Sequence, residues 1–252
     1  MLLHIHGSST YLADSIHLLP PDASPIPPAL WRVQQGAACI FFESDLDKPP
    51  SIPPSAFLPP ETPLSSLVSA QTFEATAALW QRFGIQVPLE TLKPWFAGLL
   101  LANFLSGTIG FNHQGGVDRQ IWQATAPEKR RLLEGTEALD AFDAAPPSEQ
   151  SAYLGTIAHS PEVITARFTR LYQHWQSSNV AGFEQELVLA KEQFPIMFTG
   201  LIDGRNQSWL PTIVDRAKQA VPALVLVGAL HLVGESGIPA LLTERGFSIG
   251  AA

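Results

Sequence analysis

A single cysteine, Cys39, is all the sulfur chemistry that the 252-residue chain can offer beyond its two methionines. An internal disulfide and any cysteine-rich zinc or iron–sulfur centre are excluded, so a bound metal would have to rest on histidines and carboxylates. Charge is also scarce, at 15% of residues against about 25% in an ordinary globular protein. Lys and Arg number 15 against 23 acidic residues, a net charge of −8, and no long basic run occurs. Nucleic acid and anionic membrane surfaces are therefore not expected partners. Long apolar runs are missing too. The longest uncharged stretch, Pro94 to Val117, is interrupted by Gly98, Asn103, Ser106, Gly107, Thr108 and Gly110. It falls short of the ~20 apolar residues of a spanning helix and reads as a buried helix ending near Ser106-Gly107. The opening residues, MLLHIHGSST, have neither a basic region nor the apolar run of a signal peptide. The expected compartment is the cytoplasm, or the periplasm or exterior if the chain is a trimmed mature form. No P-loop, dinucleotide glycine fingerprint or Gly-x-Ser-x-Gly elbow is present. With 46% hydrophobic residues the chain can bury a core and is not disordered.

Proline is abundant but uneven, with twelve of 22 in the first 63 residues. Two clusters, Pro20 to Pro28 and Pro49 to Pro63, read as irregular connectors, because proline fixes φ and removes a donor. The second could be a linker or a flap over a cleft. The N-terminal pattern is a hairpin: a strand over Leu2–His6, a turn at Gly7-Ser8-Ser9 and a return strand over Thr10–His17. A helix from Pro28 to Gln35 leads into an apolar strand, Ala38 to Phe42, which ends at Glu43. Helical periodicity starts at Leu64, and a short strand is expected at Arg131-Leu132-Leu133. Helices resume from about Ser148 to Ala220, with breaks at Pro161, Ser177–Asn179, Pro195 and Gly204. Ala223–Gly228 is a continuous apolar strand of the kind buried on both faces. A helix over Ile238–Arg245 and a strand over Phe247–Ile249 close the chain.

The two ends echo each other. Ser15-Ile16-His17-Leu18-Leu19 and Ala229-Leu230-His231-Leu232-Val233 share one pattern: small, aliphatic, His, aliphatic, aliphatic. Each follows an apolar strand, and each precedes a short loop and a helix opening with Pro-Ala-Leu, at Pro28 and Pro239. The expected fold is α/β, a single domain over 1–252 with a central mixed sheet. Two strand–His–loop–helix–strand units, about 1–45 and 222–252, build the sheet, and a helical middle, about 64–220, covers it. Two such units in one sheet would bring His17 and His231 to the same rim, where open α/β sheets place their sites.

These segments resemble the TraB/PrgY/GumN group, which includes the Tiki proteins and carries two short Gly-x-x-His motifs, one near each end. The second is intact as Gly228-Ala229-Leu230-His231 within VGALHLVGESGIPALLTERGF. The first corresponds to Asp14-Ser15-Ile16-His17 within TYLADSIHLLPPDASPIPPALW, with Asp14 where the family has glycine. Glu43 in FFESD, Gly116-Val117-Asp118, Glu134 in LLEGTE, and Arg205-Asn206 with Trp209 also match, so the resemblance spans essentially the whole chain. It implies a fold related to the erythromycin-esterase and ChaN-like proteins. It also implies metal-dependent proteolysis with manganese or cobalt through the two motif histidines and a glutamate.

Chemically, two neutral imidazoles and a carboxylate suit a divalent ion (Mn, Co or Zn) and leave positions open for water and substrate. His17, His231 and Glu43 are the expected metal set, with Glu43 as ligand or general base; a surface role or an ion pair with Arg205 stays open for it. Arg205 would orient substrate or an oxyanion, or else anchor a helix by an ion pair. Asp45, on the same strand face as Glu43, is a weaker candidate. Asp14 reads as a local structural change rather than a third ligand, because strand alternation points it away from His17. Asn206 and Asp118 read as helix caps and Gly116 as a turn residue, while Glu134 is a candidate through the resemblance alone. The leading expectation is a metal-dependent, peptidase-like hydrolase acting on a peptide or related amide. The alternatives are a protein that binds and sequesters a peptide or small ligand, and a metal-independent esterase with a histidine base.

Overall fold

The fold is taken from a computed structural model that describes all residues except 21, 24, 49–51 and 136–138. Parts of both proline clusters and of the LLEGTE segment therefore lie outside the described residues. A six-stranded mixed sheet forms from β1 (Leu2–Ile5), β2 (Thr10–Ser15), β3 (Cys39–Phe42), β4 (Arg130–Leu132), β5 (Ala223–Gly228) and β6 (Ile249–Ala251). Its order is β4-β3-β5-β2-β1-β6, with β1 antiparallel to both neighbours and β2, β5, β3 and β4 paired in parallel. Five strands come from the two ends of the chain, and β4 is the strand expected at Arg131.

The helices are α1 (Pro28–Gly36), α2 (Ala70–Phe83), α3 (Pro94–Thr108), α4 (Val117–Gln123), α5 (Asp140–Ala144) and α6 (Pro147–His159). They continue with α7 (Pro161–Gln176), α8 (Val180–Gln193), α9 (Pro195–Phe198), α10 (Arg205–Ala217) and α11 (Ile238–Glu244). Strand alternation divides the core in two. Ala13, Ile40, Phe42, Leu224 and Leu226 face the large helical layer that includes α1, α3 and α4. Leu12, Phe41, Val225 and Val227 face α10 and α11. The central β5 is buried on both faces, as its unbroken apolar run requires.

The end units diverge from neighbouring strands. The first runs from β2 through α1 to β3, and the second from β5 through α11 to β6, on the opposite face and toward the opposite edge. The carboxyl ends of β2 and β5, where they part, form a topological switch point, the usual place for a crevice in an open α/β sheet.

Some boundaries differ from expectation. The strand that would reach His17 stops at Ser15, because the next residues leave β5 for another partner: the Val117 N–H donates to the Ile16 carbonyl, and Leu19 bridges Asn112. Gly204 does not break its helix. Residues Thr199–Gly204 form a π-helix that passes directly from α9 into α10, with Gly204 at φ −60° and ψ −46°. The closing strand starts at Ile249 because the turn after α11, with Gly246 at φ +86° and the Phe247 N–H bonded to Leu242, uses the preceding residues. The described part of the second proline cluster is pinned to the helical layer through Leu58–Thr91 and Lys93–Ala56 backbone bonds, as a connector rather than a flap.

Candidate functional site

The last residue pair of β2 and β5 is Ser15 with Gly228; His17 lies two residues beyond the first and His231 three beyond the second. Both imidazoles reach the same rim. Glu43, immediately after β3, completes the group: its Oε1 is 3.9 Å from His17 Nε2 and 4.0 Å from His231 Nε2. Gly228 lies among all three. A Cβ there would meet Glu43 Oε1 at 3.3 Å, His17 Nε2 at 3.5 Å and His231 at 3.6 Å, so a side chain would fill the space on which the donors converge. The Gly228 N–H also donates to Glu43 Oε1 at 2.6 Å.

Each imidazole is oriented through Nδ1. His17 Nδ1–H donates to Asp118 Oδ2 at 2.7 Å. His231 Nδ1 is 2.7 Å from Asn206 Oδ1, and the Asn206 amide donates to the carbonyls of Ser236 (2.8 Å) and His231 (3.4 Å). With both amide hydrogens so used, Oδ1 must accept, which places the His231 proton on Nδ1 and a lone pair on Nε2. A hydrogen bond on the ring nitrogen turned away from the ion is what metal-binding imidazoles normally have. Asn206 and Asp118 are thus not caps: both sit in the first turn of their helices with their side chains spent on the histidines. The α4 cap is Gly116, whose closeness to the His17 carbonyl (2.5 Å to a Cβ) admits no larger residue without displacement.

Arg205 joins the group from below. It donates through Nε to Glu134 at 2.9 Å, through Nη2 to Glu43 and Glu134 at 2.6 Å each, and through Nη1 to His231 Nε2 at 3.3 Å and the Leu201 carbonyl at 3.5 Å. The two Nη1 contacts are the long ones. Its guanidinium lies over Trp209 at 4.6 Å, and Trp209 packs on His231 with ring centroids 4.6 Å apart. The π-helix, a device often found at functional sites, ends at the residue before Arg205. These contacts make Arg205 a brace, with Nη1 its most available arm.

Electrostatics separate the two histidines. Desolvation by its neighbours disfavours charge on the half-exposed His17, but Asp118, by charge and hydrogen bond, and Glu43 outweigh it and raise the imidazole to about 9. Burial, with the positive charges of Arg205 and His17, overcomes the pull of Glu43 and holds His231 down to about 3. Burial opposes the Glu43 anion, yet His231, Arg205, His17 and the Gly228 N–H together bring it down to about 2, in the range where His231 itself takes up its proton. Were both imidazoles neutral, as metal ligands must be, Glu43 and Glu134, which share the Arg205 guanidinium, and Asp118 at His17 would leave a local excess of negative charge.

Two imidazole Nε2 atoms, one carboxylate oxygen and this negative excess fit a divalent cation by donor type and by charge. Among the described residues, however, no group of three or more His, Cys, Asp or Glu is already arranged to hold an ion. Arg205 stands on His231 and Glu43, and its Nη1 would have to release His231 Nε2.

Other candidates lie apart. Asp14 points away from the rim: its Oδ1 is 2.5 Å from the Met1 nitrogen, and burial pushes its carboxyl up. Asp45 accepts from the Asp47 N–H in a local turn. His113, which has no telling sequence spacing, nonetheless stands close enough to His17 to feel its charge and bonds Asn103 at 2.9 Å.

Two outcomes follow from this geometry. Arg205→Ala leaves the Glu43 and Glu134 side chains, 11% and 7% exposed, without their cation. The expected loss is about 3–5 kcal/mol of unfolding free energy, read by urea denaturation. In metal-free protein, NMR titration should place His17 near 9 and show Asp118→Asn lowering it, with His231 neutral throughout the neutral range.

The chain has two curated relatives of matching extent, both named "Uncharacterized protein YbaP". The one from Shigella flexneri is 27% identical over 237 residues, covering 92% of this chain and 87% of the relative. The one from Escherichia coli (strain K12) is 27% identical over 236 residues with the same coverage. No solved structure matches at a significant level. The TraB/PrgY/gumN family model matches residues 2–251, nearly the full length, and the chain belongs to that family.

Proposed function

We propose that the rim of β2 and β5 is a hydrolytic centre that holds one divalent ion through His17 Nε2, His231 Nε2 and Glu43 Oε1 and cuts an amide or ester bond. The observation that carries this reading is the approach of both imidazoles to the same Glu43 oxygen, at 3.9 and 4.0 Å, at the sheet's switch point. The family's implied kinship with erythromycin-esterase and ChaN-like folds and with metal-dependent proteases agrees with it. A manganese, cobalt or zinc ion there would supply Lewis-acid polarisation of a carbonyl and a more acidic water. The chain's own residues do the rest. Asp118 and Asn206 hold the two Nδ1–H groups, so both Nε2 atoms are turned toward Glu43 Oε1. Glu43 accepts the Gly228 N–H and stands where it can bind the ion or take a proton from water. Glu134 fixes the guanidinium of Arg205, whose Nη1 can turn from His231 to a substrate carbonyl as negative charge develops on it.

A second reading is favoured by one observation, the Arg205 Nη1 contact on His231. If that contact persists, the centre is metal-free, and the His17–Asp118 pair is left to activate water once His17 has lost the proton it holds up to about pH 9.

Protein purified without chelator should contain about one manganese, cobalt or zinc ion per chain and should cleave members of a broad peptide and acyl-amide library. His17→Ala/His231→Ala should lose both metal and turnover while its circular dichroism is unchanged. Turnover that survives exhaustive chelation would assign the chemistry to the metal-free reading. No turnover with any of these ions would overturn the hydrolytic reading.

A further inference from the structure

Behind the two histidines lies a second feature. The residue after His17, Leu18, and the residue before His231, Leu230, both line a cavity of about 920 Å³ within the helical layer. Its walls come from α3, α6, α7 and α8, through side chains such as Leu100, Ile157, Ile164 and Leu189. His113, which feels the charge of His17, lines it as well. The cavity thus reaches the residues next to His17 and His231 in the chain, although neither histidine lines it.

Most of the polar groups on these walls bond one another, Tyr153 and Glu192 being the others that line it. Asn103 bonds His113, Gln193 donates to Thr156 at 3.1 Å, and Arg167 and Arg170 both bond Glu186, at 3.2 and 2.7 Å. A peptide backbone brings an N–H and a C=O with every residue, and here few partners would remain for them. An unbranched hydrocarbon chain brings none. The volume is that of a pocket for a whole drug-sized ligand, far more than one amino-acid side chain fills.

We propose that this cavity takes the acyl chain of the substrate, so that the bond cut at the rim is that of a long-chain acyl amide or ester. The identity of the bond rests on the hydrolytic reading above; the occupant of the cavity does not. Water adds across the carbonyl–nitrogen or carbonyl–oxygen bond: the acyl carbon gains the hydroxyl and leaves as a carboxylic acid, and the amine or alcohol leaves with the proton.

The test separates the two readings by measuring binding apart from turnover. Displacement of the fluorescent fatty acid cis-parinaric acid by N-acylglycine amides, butyryl to lauroyl, is followed in wild type and in His17→Ala/His231→Ala. Affinity should rise about fourfold per added methylene in both proteins. Leu189→Asp, on a half-exposed wall position, and Leu100→Trp should each weaken the lauroyl compound at least about tenfold while leaving the butyryl compound unchanged. Unchanged circular dichroism in both variants guards against misfolding. A response flat in chain length, lauroyl binding retained in both variants, or stronger displacement by apolar peptides without an acyl chain would each overturn the inference. Length-dependent binding without any turnover would uphold it and remove the hydrolytic reading; turnover with flat binding would do the reverse.

Discussion

The Glu43 carboxylate binds parts of the chain that are far apart in sequence. Its Oε1 takes the backbone N–H of Gly228, 185 residues away, and its Oε2 takes the Arg205 guanidinium, 162 residues away. One buried anion thus ties the end of β3 to the end of β5 and to the start of α10. The first end unit, the second end unit and the helix that braces them meet on this group. A buried carboxylate is stable only with partners, and these partners fix where the two histidines can stand. The rest of the rim follows: Glu134 holds the far side of Arg205, Trp209 packs under it, and Asn206, one residue on, reaches His231.

The same arrangement divides labour between the imidazoles. His231 is enclosed, neutral and locked into one tautomer by Asn206. His17 is half exposed at the cleft and carries its proton because Asp118 is beside it. Binding a cation at the rim would therefore release the His17 proton and displace one arm of Arg205. In the free state the guanidinium supplies part of the positive charge that an ion would bring.

Much of the scaffold was legible in the chain. The apolar runs of β3 and β5, the hairpin and the repeated Pro-Ala-Leu helix starts reported local physics directly, and the echo of two His-bearing units placed both histidines on one rim. The failures are also physical. The end of β2 could not be read, because Ile16 and Leu19 bond to the segment around Asn112 and Val117, a tertiary choice. Gly204 looked like a break, yet glycine in helical geometry allows the π-helix to continue. Asp118 and Asn206 opened helices in the sequence and so read as caps, although their partners, His17 and His231, lie 101 and 25 residues away. The cavity beside Leu18 and Leu230 depends on how four helices pack, and no local pattern encodes that.

On the reading proposed above, the two strand-end histidines and Glu43 form one cation-binding centre. Anomalous diffraction at the manganese edge, from crystals of the protein loaded with manganese, tests it most directly. A single strong peak within bonding distance of His17 Nε2, His231 Nε2 and Glu43, with Arg205 Nη1 moved off His231, is the predicted result. No peak at that position, with Arg205 still bonded to His231 and Glu43, would contradict it.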